Sequence, residues 1–139
     1  MTTLQNLERQ HKDIYETIHE AMTLIEQGNL EDNGLVIARH ISALAGKLKI
    51  HLNSEDKYLY PSLLKKGNDP LKKKTERYMD EMGNLRETYM QFKDQYNTKS
   101  KILLDQDTFK AASSQVFDAV LKRMHKEDTD LYEEAKSFL

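Results

Sequence analysis

The fold of this chain is decided by residues 37–61, which read IARHISALAGKLKIHLNSEDKYLYP. Apolar side chains recur in this stretch at spacings of three and four residues, which is the periodicity of one face of an amphipathic helix. The same face then passes through His51 and Glu55 before it reaches Leu59. The stretch therefore predicts a helix whose core-facing side carries an imidazole and a carboxylate one turn apart.

A similar apolar stripe begins near the start of the chain and predicts the first helix. It runs from Leu4 to Ile25, ends before Gly28, and is preceded by two possible caps, Thr2 and Thr3. Position 11 belongs to this stripe, and it is occupied by a histidine. The first helix is therefore also expected to direct an imidazole into the core.

Two further stripes predict the third and fourth helices. Residues 71–96 follow Pro70, which suits the first position of a helix, and carry Met82 at the centre of the stripe. The fourth helix is expected to begin after a cap at Asp107 and to direct the apolar side chains of residues 109–124 to the core. His125 lies beside that apolar face.

Four helices joined by short connections predict an all-α fold, an up-down-up-down antiparallel four-helix bundle. A length of 139 residues suits a single domain, so residues 1–139 are expected to share one core. When the chain is folded about connections near residues 29, 68 and 102, four side chains fall within one helical turn of the same level. They are His11, His51, Met82 and His125.

Composition restricts the class of protein. The formal net charge of −2 gives no excess of positive charge for binding nucleic acid. No segment has the roughly 20 apolar residues of a membrane-spanning helix, and the start lacks a signal peptide, so no membrane association and a cytoplasmic location are expected. The absence of cysteine excludes disulfides and thiolate metal sites. Any metal would be held mainly by imidazole and carboxylate groups.

The polar side chains on the predicted core faces have the chemistry of metal ligands. His51 and Glu55 share a face, and His125 is followed by Glu127, Asp128 and Asp130. Rotation along a helix favours Asp128 over Asp130 as the same-face partner of His125. Imidazole with carboxylate suits iron, manganese or zinc, and facing helices of a bundle commonly hold two such ions. The alternative is a hydrogen-bonded polar layer that holds no metal.

These motifs resemble the hemerythrin-like family, whose pattern is a histidine on helix one, HxxxE on helix two, histidine on helix three and HxxxxD or HxxxE on helix four. Three of the four parts are matched, by His11, by His51 to Glu55, and by His125 to Asp130. The resemblance implies two non-haem iron ions. It assigns His11 and His51 to one ion, His125 to the other, and Glu55 and Asp130 to bridges between them.

Helix three departs from the family pattern, because Met82 stands at the position expected for its histidine. The second iron is then expected to be weakly held, or to recruit Glu81, Tyr78 or Tyr89. A single metal ion is the third alternative. The first two are favoured because both bridging carboxylates of the pattern remain.

The resemblance implies that the protein binds, senses or detoxifies a small ligand such as dioxygen, nitric oxide or a peroxide. Oxidase-like turnover at the iron stays open, and the sequence indicates no protein partner. A second hypothesis is a b-type haem protein of bundle fold, with Met82 and a facing histidine as axial ligands. A third is a metal-free bundle that acts as a protein-interaction module.

Overall fold

The computed structural model describes residues 4–139, and every regular element within that range is helical, which confirms the predicted all-α class. Two of the elements are single π-helical turns, π1 (Glu55–Leu59) and π2 (Glu127–Leu131), which continue the helices before them. The α-helices are α1 (Leu4–Glu26), α2 (Leu30–Ser54), α3 (Tyr60–Lys66), α4 (Asp69–Tyr96), α5 (Lys99–Leu104), α6 (Gln106–Lys126) and α7 (Tyr132–Ala135).

Side chains cap the starts of several helices. Asn29 and Asn68 accept backbone N–H groups at the starts of α2 and α4. At α6 the cap is Asp105, which accepts from the Thr108 N–H at 3.1 Å. The predicted cap at Asp107 was therefore wrong by two residues, because Asp107 already lies in the first helical turn. The caps predicted at positions 2 and 3 lie outside the described residues.

Helices α1 and α2 pack against each other along most of their length and run in opposite directions. Near one end Lys47 Nζ contacts Asp13 Oδ1 at 2.9 Å. Farther along α1, Glu20 contacts His40, which precedes Lys47 on α2. The turn between the two helices contains Gly28 with φ of +79°, a backbone conformation that favours glycine.

Helices α4 and α6 form a second antiparallel pair. Tyr78, early in α4, contacts Arg123 near the end of α6. The rings of Tyr96 and Phe109, at the opposite ends of the two helices, lie 5.0 Å apart. Aromatic side chains therefore hold the far end of this pair together, while the near end carries buried polar contacts.

Two apolar clusters make up the core. The larger includes Ile14 and Met124, and the smaller includes Leu7 and Leu131. Each fully buried side chain of this size contributes roughly 1.5–3 kcal/mol to folding. Because Leu7 and Ile14 flank position 11 on one helix, a polar layer lies between the two clusters. Within residues 4–139, none of the helices has the length and apolar character needed to cross a bilayer.

Candidate metal centre

The polar layer contains four potential metal donors that converge from three parts of the chain. One ligand atom from each of four side chains lies within 4.8 Å of every other, and all four side chains are buried. They are His11 of α1, His51 at the end of α2, Glu55 of π1 and Glu127 of π2. At most 1% of the surface of each residue is exposed.

The two imidazole rings face each other inside this cluster. His11 Nε2 lies 2.9 Å from His51 Nε2, and Glu127 Oε1 lies 2.8 Å from the first and 3.2 Å from the second. Glu55 Oε1 lies 3.4 Å from His51 Nε2. Two nitrogen and two carboxylate donors therefore border one small volume.

Hydrogen bonds from residues outside the cluster determine which nitrogen of each imidazole faces the centre. His11 Nδ1 lies 2.7 Å from Asp128 Oδ1, and His51 Nδ1 lies 2.8 Å from Gln10 Oε1. A carboxylate and an amide oxygen can only accept, so both Nδ1 atoms carry hydrogen. Ser54 supports this orientation of the amide by accepting from Gln10 Nε2. When neutral, each ring then presents a bare Nε2 to the centre, which is how metal-binding histidines are oriented.

The spacing of the donors fits a metal ion. When two donors bind one ion at right angles with bonds of about 2.1 Å, they lie about 3.0 Å apart. Oxygen–nitrogen distances of this size also occur in hydrogen bonds, but when both rings are neutral the 2.9 Å contact between the two Nε2 atoms places lone pair against lone pair. A cation between the rings removes that repulsion. The donor set therefore fits a cation that prefers nitrogen and oxygen ligands.

Electrostatics also favours a positive charge in the cluster. Burial lowers the pKa of His11, but its bonds to Asp128 and Glu127 outweigh burial and raise it. Burial lowers the pKa of His51. Burial, followed by the nearby negative charge of Glu127, raises the pKa of Glu55 well above its usual value. Although burial opposes it, hydrogen bonds from the two imidazoles in their protonated form hold the pKa of Glu127 well below its usual value.

A family model for the hemerythrin HHE cation-binding domain matches residues 2–135. The chain belongs to the hemerythrin family. No curated protein and no solved structure matches it. The family's description names cation binding, and in this hemerythrin-like chain the buried histidines and glutamates are the side chains that could provide it.

Three of the five predicted ligands lie together in the hemerythrin-like site, namely His11, His51 and Glu55. The structure does not bring His125 or Asp130 to it. The buried face of the last helix includes Val120, Met124 and Glu127, which are four and three residues apart. His125 lies off this face and is exposed.

Both carboxylate oxygens of Asp130 have partners outside the cluster. Oδ1 accepts from Lys74 Nζ and Oδ2 from the Tyr78 hydroxyl, each at 2.7 Å. The alternative on this helix, Asp128, contacts His11 Nδ1 from outside and also accepts from Tyr15. Asp128 therefore orients the imidazole of His11, and the fourth helix contributes a different carboxylate to the centre.

That carboxylate is Glu127, which the sequence reasoning missed although a repeat in the sequence points to it. Residues 55–60 read EDKYLY and residues 127–132 read EDTDLY. Each copy begins a π turn, in which the N–H of the closing tyrosine bonds to the carbonyl of the opening glutamate. The motif E-D-x-x-L-Y thus forms the same local structure twice. Since the first copy contains Glu55, the second identifies Glu127 as its counterpart.

The tyrosines that close the two repeats both contact Glu55. The Tyr60 hydroxyl lies 3.3 Å from Glu55 Oε1, and the Tyr132 hydroxyl lies 2.8 Å from Glu55 Oε2. Burial is the largest cause that raises the pKa of each tyrosine far above the usual value. Both hydroxyls thus keep their protons beside the glutamate.

Arg123 neutralises the outer oxygen of Glu127. Its Nε lies 3.0 Å from Glu127 Oε2, its Nη2 donates to the Tyr78 carbonyl at 2.6 Å, and its Nη1 contacts Glu81. The guanidinium also lies 4.3 Å from the centre of the Tyr78 ring. In the two repeats Arg123 precedes its glutamate by four residues, as His51 does. Arg123 therefore places a permanent positive charge at the position that the imidazole of His51 has in the other repeat.

Met82 and His40 are not among the four donors. Met82 is buried in the larger apolar cluster and lines a cavity of about 60 Å³ next to Tyr60 and Leu52. Sites for drug-sized ligands measure roughly 300–1,000 Å³, so this cavity does not fit the haem hypothesis. His40 contacts Glu20 at 3.6 Å at the edge of the bundle.

Proposed function

We propose that this hemerythrin-like chain binds one non-haem iron ion through His11, His51, Glu55 and Glu127. We further propose that the ion takes a small ligand of the dioxygen, nitric oxide or peroxide class. The observation that carries the proposal is the contact between the two imidazoles, whose Nε2 atoms lie 2.9 Å apart beside two buried carboxylates.

Iron is proposed because of the donors and the family. Two imidazoles and two carboxylates without thiolate suit iron, manganese and zinc. Membership of the hemerythrin family favours iron among these, and iron when bound supplies reversible electron transfer and affinity for dioxygen and nitric oxide. Manganese or zinc would bind the same donors but would give a different metal content and spectrum.

One ion is proposed rather than the two expected from the sequence. A second ion would need further donors, and within residues 4–139 no other group of three or more histidine, aspartate and glutamate side chains converges. The outer oxygen of Glu127 is already bound by Arg123, whose guanidinium has no lone pair to offer a metal. The positive charge of the Arg123 guanidinium thus takes the place of the charge that a second ion would supply.

The protein around the centre restricts what can reach it. All four donors are buried, and apolar clusters close the layer from above and below. A cavity of about 60 Å³ is lined by Met82 and by Tyr60, whose hydroxyl contacts Glu55. A diatomic molecule or a peroxide suits a centre enclosed in this way better than an organic substrate does.

Iron binding by ligand variants tests the proposal. The apoprotein is loaded with ferrous iron without oxygen, and bound iron is measured after desalting for the unchanged protein, His51→Ala and Glu55→Ala. The two variants are expected to lose most of the iron, whereas His40→Ala, at the bundle edge, is expected to retain it. Equal losses in all three variants, or no iron in any protein, would reject the proposed site.

The ligand is tested by absorption spectra before and after exposure to dioxygen or nitric oxide. New charge-transfer bands are expected only in protein that contains iron. An intense Soret band in the purified protein would instead support the haem hypothesis. Protein from iron-rich medium without metal would support a metal-free interaction module.

A further inference from the structure

We propose that Tyr132 is a fifth donor to the ion. This inference depends on the proposed function, because it concerns the same centre. It adds a phenol oxygen to the imidazole and carboxylate donors of the other four residues. Phenolate is a hard oxygen donor, and tyrosine is a known ligand of iron in proteins.

The hydroxyl of Tyr132 lies close to an atom of each of the four donors. It is 2.8 Å from Glu55 Oε2, 3.2 Å from His11 Nε2, 3.3 Å from Glu127 Oε1 and 3.5 Å from His51 Nε2. These distances are close to the spacing of about 3.0 Å expected between adjacent donors on one ion. The phenol oxygen therefore borders the same volume as the other ligand atoms.

The side chain of Tyr132 is held in this position by its surroundings. The residue is fully buried, and its ring stacks on that of His11 with centroids 5.1 Å apart and planes inclined by 13°. Its backbone N–H closes π2 by bonding to the Glu127 carbonyl. Ring and backbone are thus both tied to ligand residues, which keeps the hydroxyl directed to the centre.

Tyr132 would bind the ion as a phenolate, since metal ions bind the deprotonated form of their protein ligands. In the metal-free protein its hydroxyl donates to Glu55 Oε2 at 2.8 Å, and that proton would leave when the ion binds.

In the test, ferricyanide would accept one electron from the ion, and the phenol proton of Tyr132 would pass to the solvent. Replacing Tyr132 by phenylalanine would remove this oxygen donor and leave the other four in place.

The test uses the full chain loaded with ferrous iron and oxidised with ferricyanide. Wild type and Tyr89→Phe are expected to show a visible phenolate-to-iron charge-transfer band, which Tyr132→Phe loses. Tyr89 is a matched control, because it is equally buried but donates to the Ile41 carbonyl in the apolar cluster.

If Tyr132→Phe fails to fold, resonance Raman spectra of the wild-type protein provide a second test. Excitation in the visible band is expected to enhance vibrations of a phenolate. Bound ferric iron without these vibrations, or an unchanged band in folded Tyr132→Phe, would overturn the inference and leave the iron site standing. Failure of the wild type to bind iron would instead reject the proposed function.

Discussion

Glu55 and Glu127 each begin a π-helical turn, and both carboxylates enter the same buried cluster. A π turn places its hydrogen bond five residues apart and so re-aims the side chains that follow. The two turns therefore direct two glutamates, and the tyrosines that close the turns, to one layer of the bundle. Such turns are frequent at functional sites, which agrees with a binding role for this layer.

Replacing Glu127 tests which residue of the last helix binds the ion. Glu127→Gln is expected to lose most of the bound iron, because an amide cannot supply the negative charge of the ligand. Asp130→Asn is the control, since Asp130 is bound to Lys74 and Tyr78. Iron retained after desalting distinguishes them. Normal retention in Glu127→Gln together with loss in Asp130→Asn would restore the ligand set implied by the family pattern.

Asp128 is expected to act through His11. Asp128→Asn weakens the hydrogen bond that orients the imidazole, and such outer changes typically lower metal affinity roughly 10–100-fold. Competition with a chelator measures the affinity. Asp118→Asn, which removes an exposed partner of Lys122 on α6, is expected to leave the affinity unchanged. Equal affinities of the Asp128 variant and wild type would mean that His11 needs no orienting carboxylate.

Arg123 is expected to contribute strongly to stability. Arg123→Met leaves the outer oxygen of buried Glu127 without its partner, and breaking a buried ion pair on one side costs about 3–5 kcal/mol. Lys122→Met breaks an exposed pair with Asp118 and is expected to change the free energy of unfolding by about 0–1 kcal/mol. Denaturant unfolding of metal-free protein compares them. Similar losses in both variants would contradict the role assigned to Arg123.

Two glycine substitutions are expected to change stability in opposite directions. Gly28→Ala forces a side chain into a φ of +79° and should cost about 1–2 kcal/mol of unfolding free energy. Gly46 lies inside α2, where an added Cβ meets no atom within 4 Å, so Gly46→Ala should gain about 0.5–1 kcal/mol. Thermal unfolding measures both. A stabilised Gly28→Ala would contradict the conformation of the α1–α2 turn.

Apolar periodicity predicted the helices and three of the four side chains that converge in the buried cluster. It identified His11, His51 and Glu55 because each lies on a stripe that also carries aliphatic side chains, so burial of the stripe buries the polar residue as well. The start of α6 was misplaced because Asp105 and Asp107 are both acceptable caps, and the chain uses the first.

The last helix was harder to predict because its polar residues are crowded together. Residues 125–130 contain one imidazole and three carboxylates, and a regular helix gives no reason to choose Glu127. The choice depends on which side chains of α6 face inward and on the π turn that starts at this residue. The repeated motif E-D-x-x-L-Y was the available signal, since it relates Glu127 to Glu55 without knowledge of the helix phase.

The ratio of metal to protein tests the central claim most directly. Protein loaded with ferrous iron and freed of loosely bound metal should contain one iron per chain, and Glu127→Gln should contain almost none. A ratio of two would show that Arg123 does not replace the second ion. A ratio of zero would contradict the account altogether, because the facing imidazoles and buried carboxylates would then form a polar layer that binds no cation.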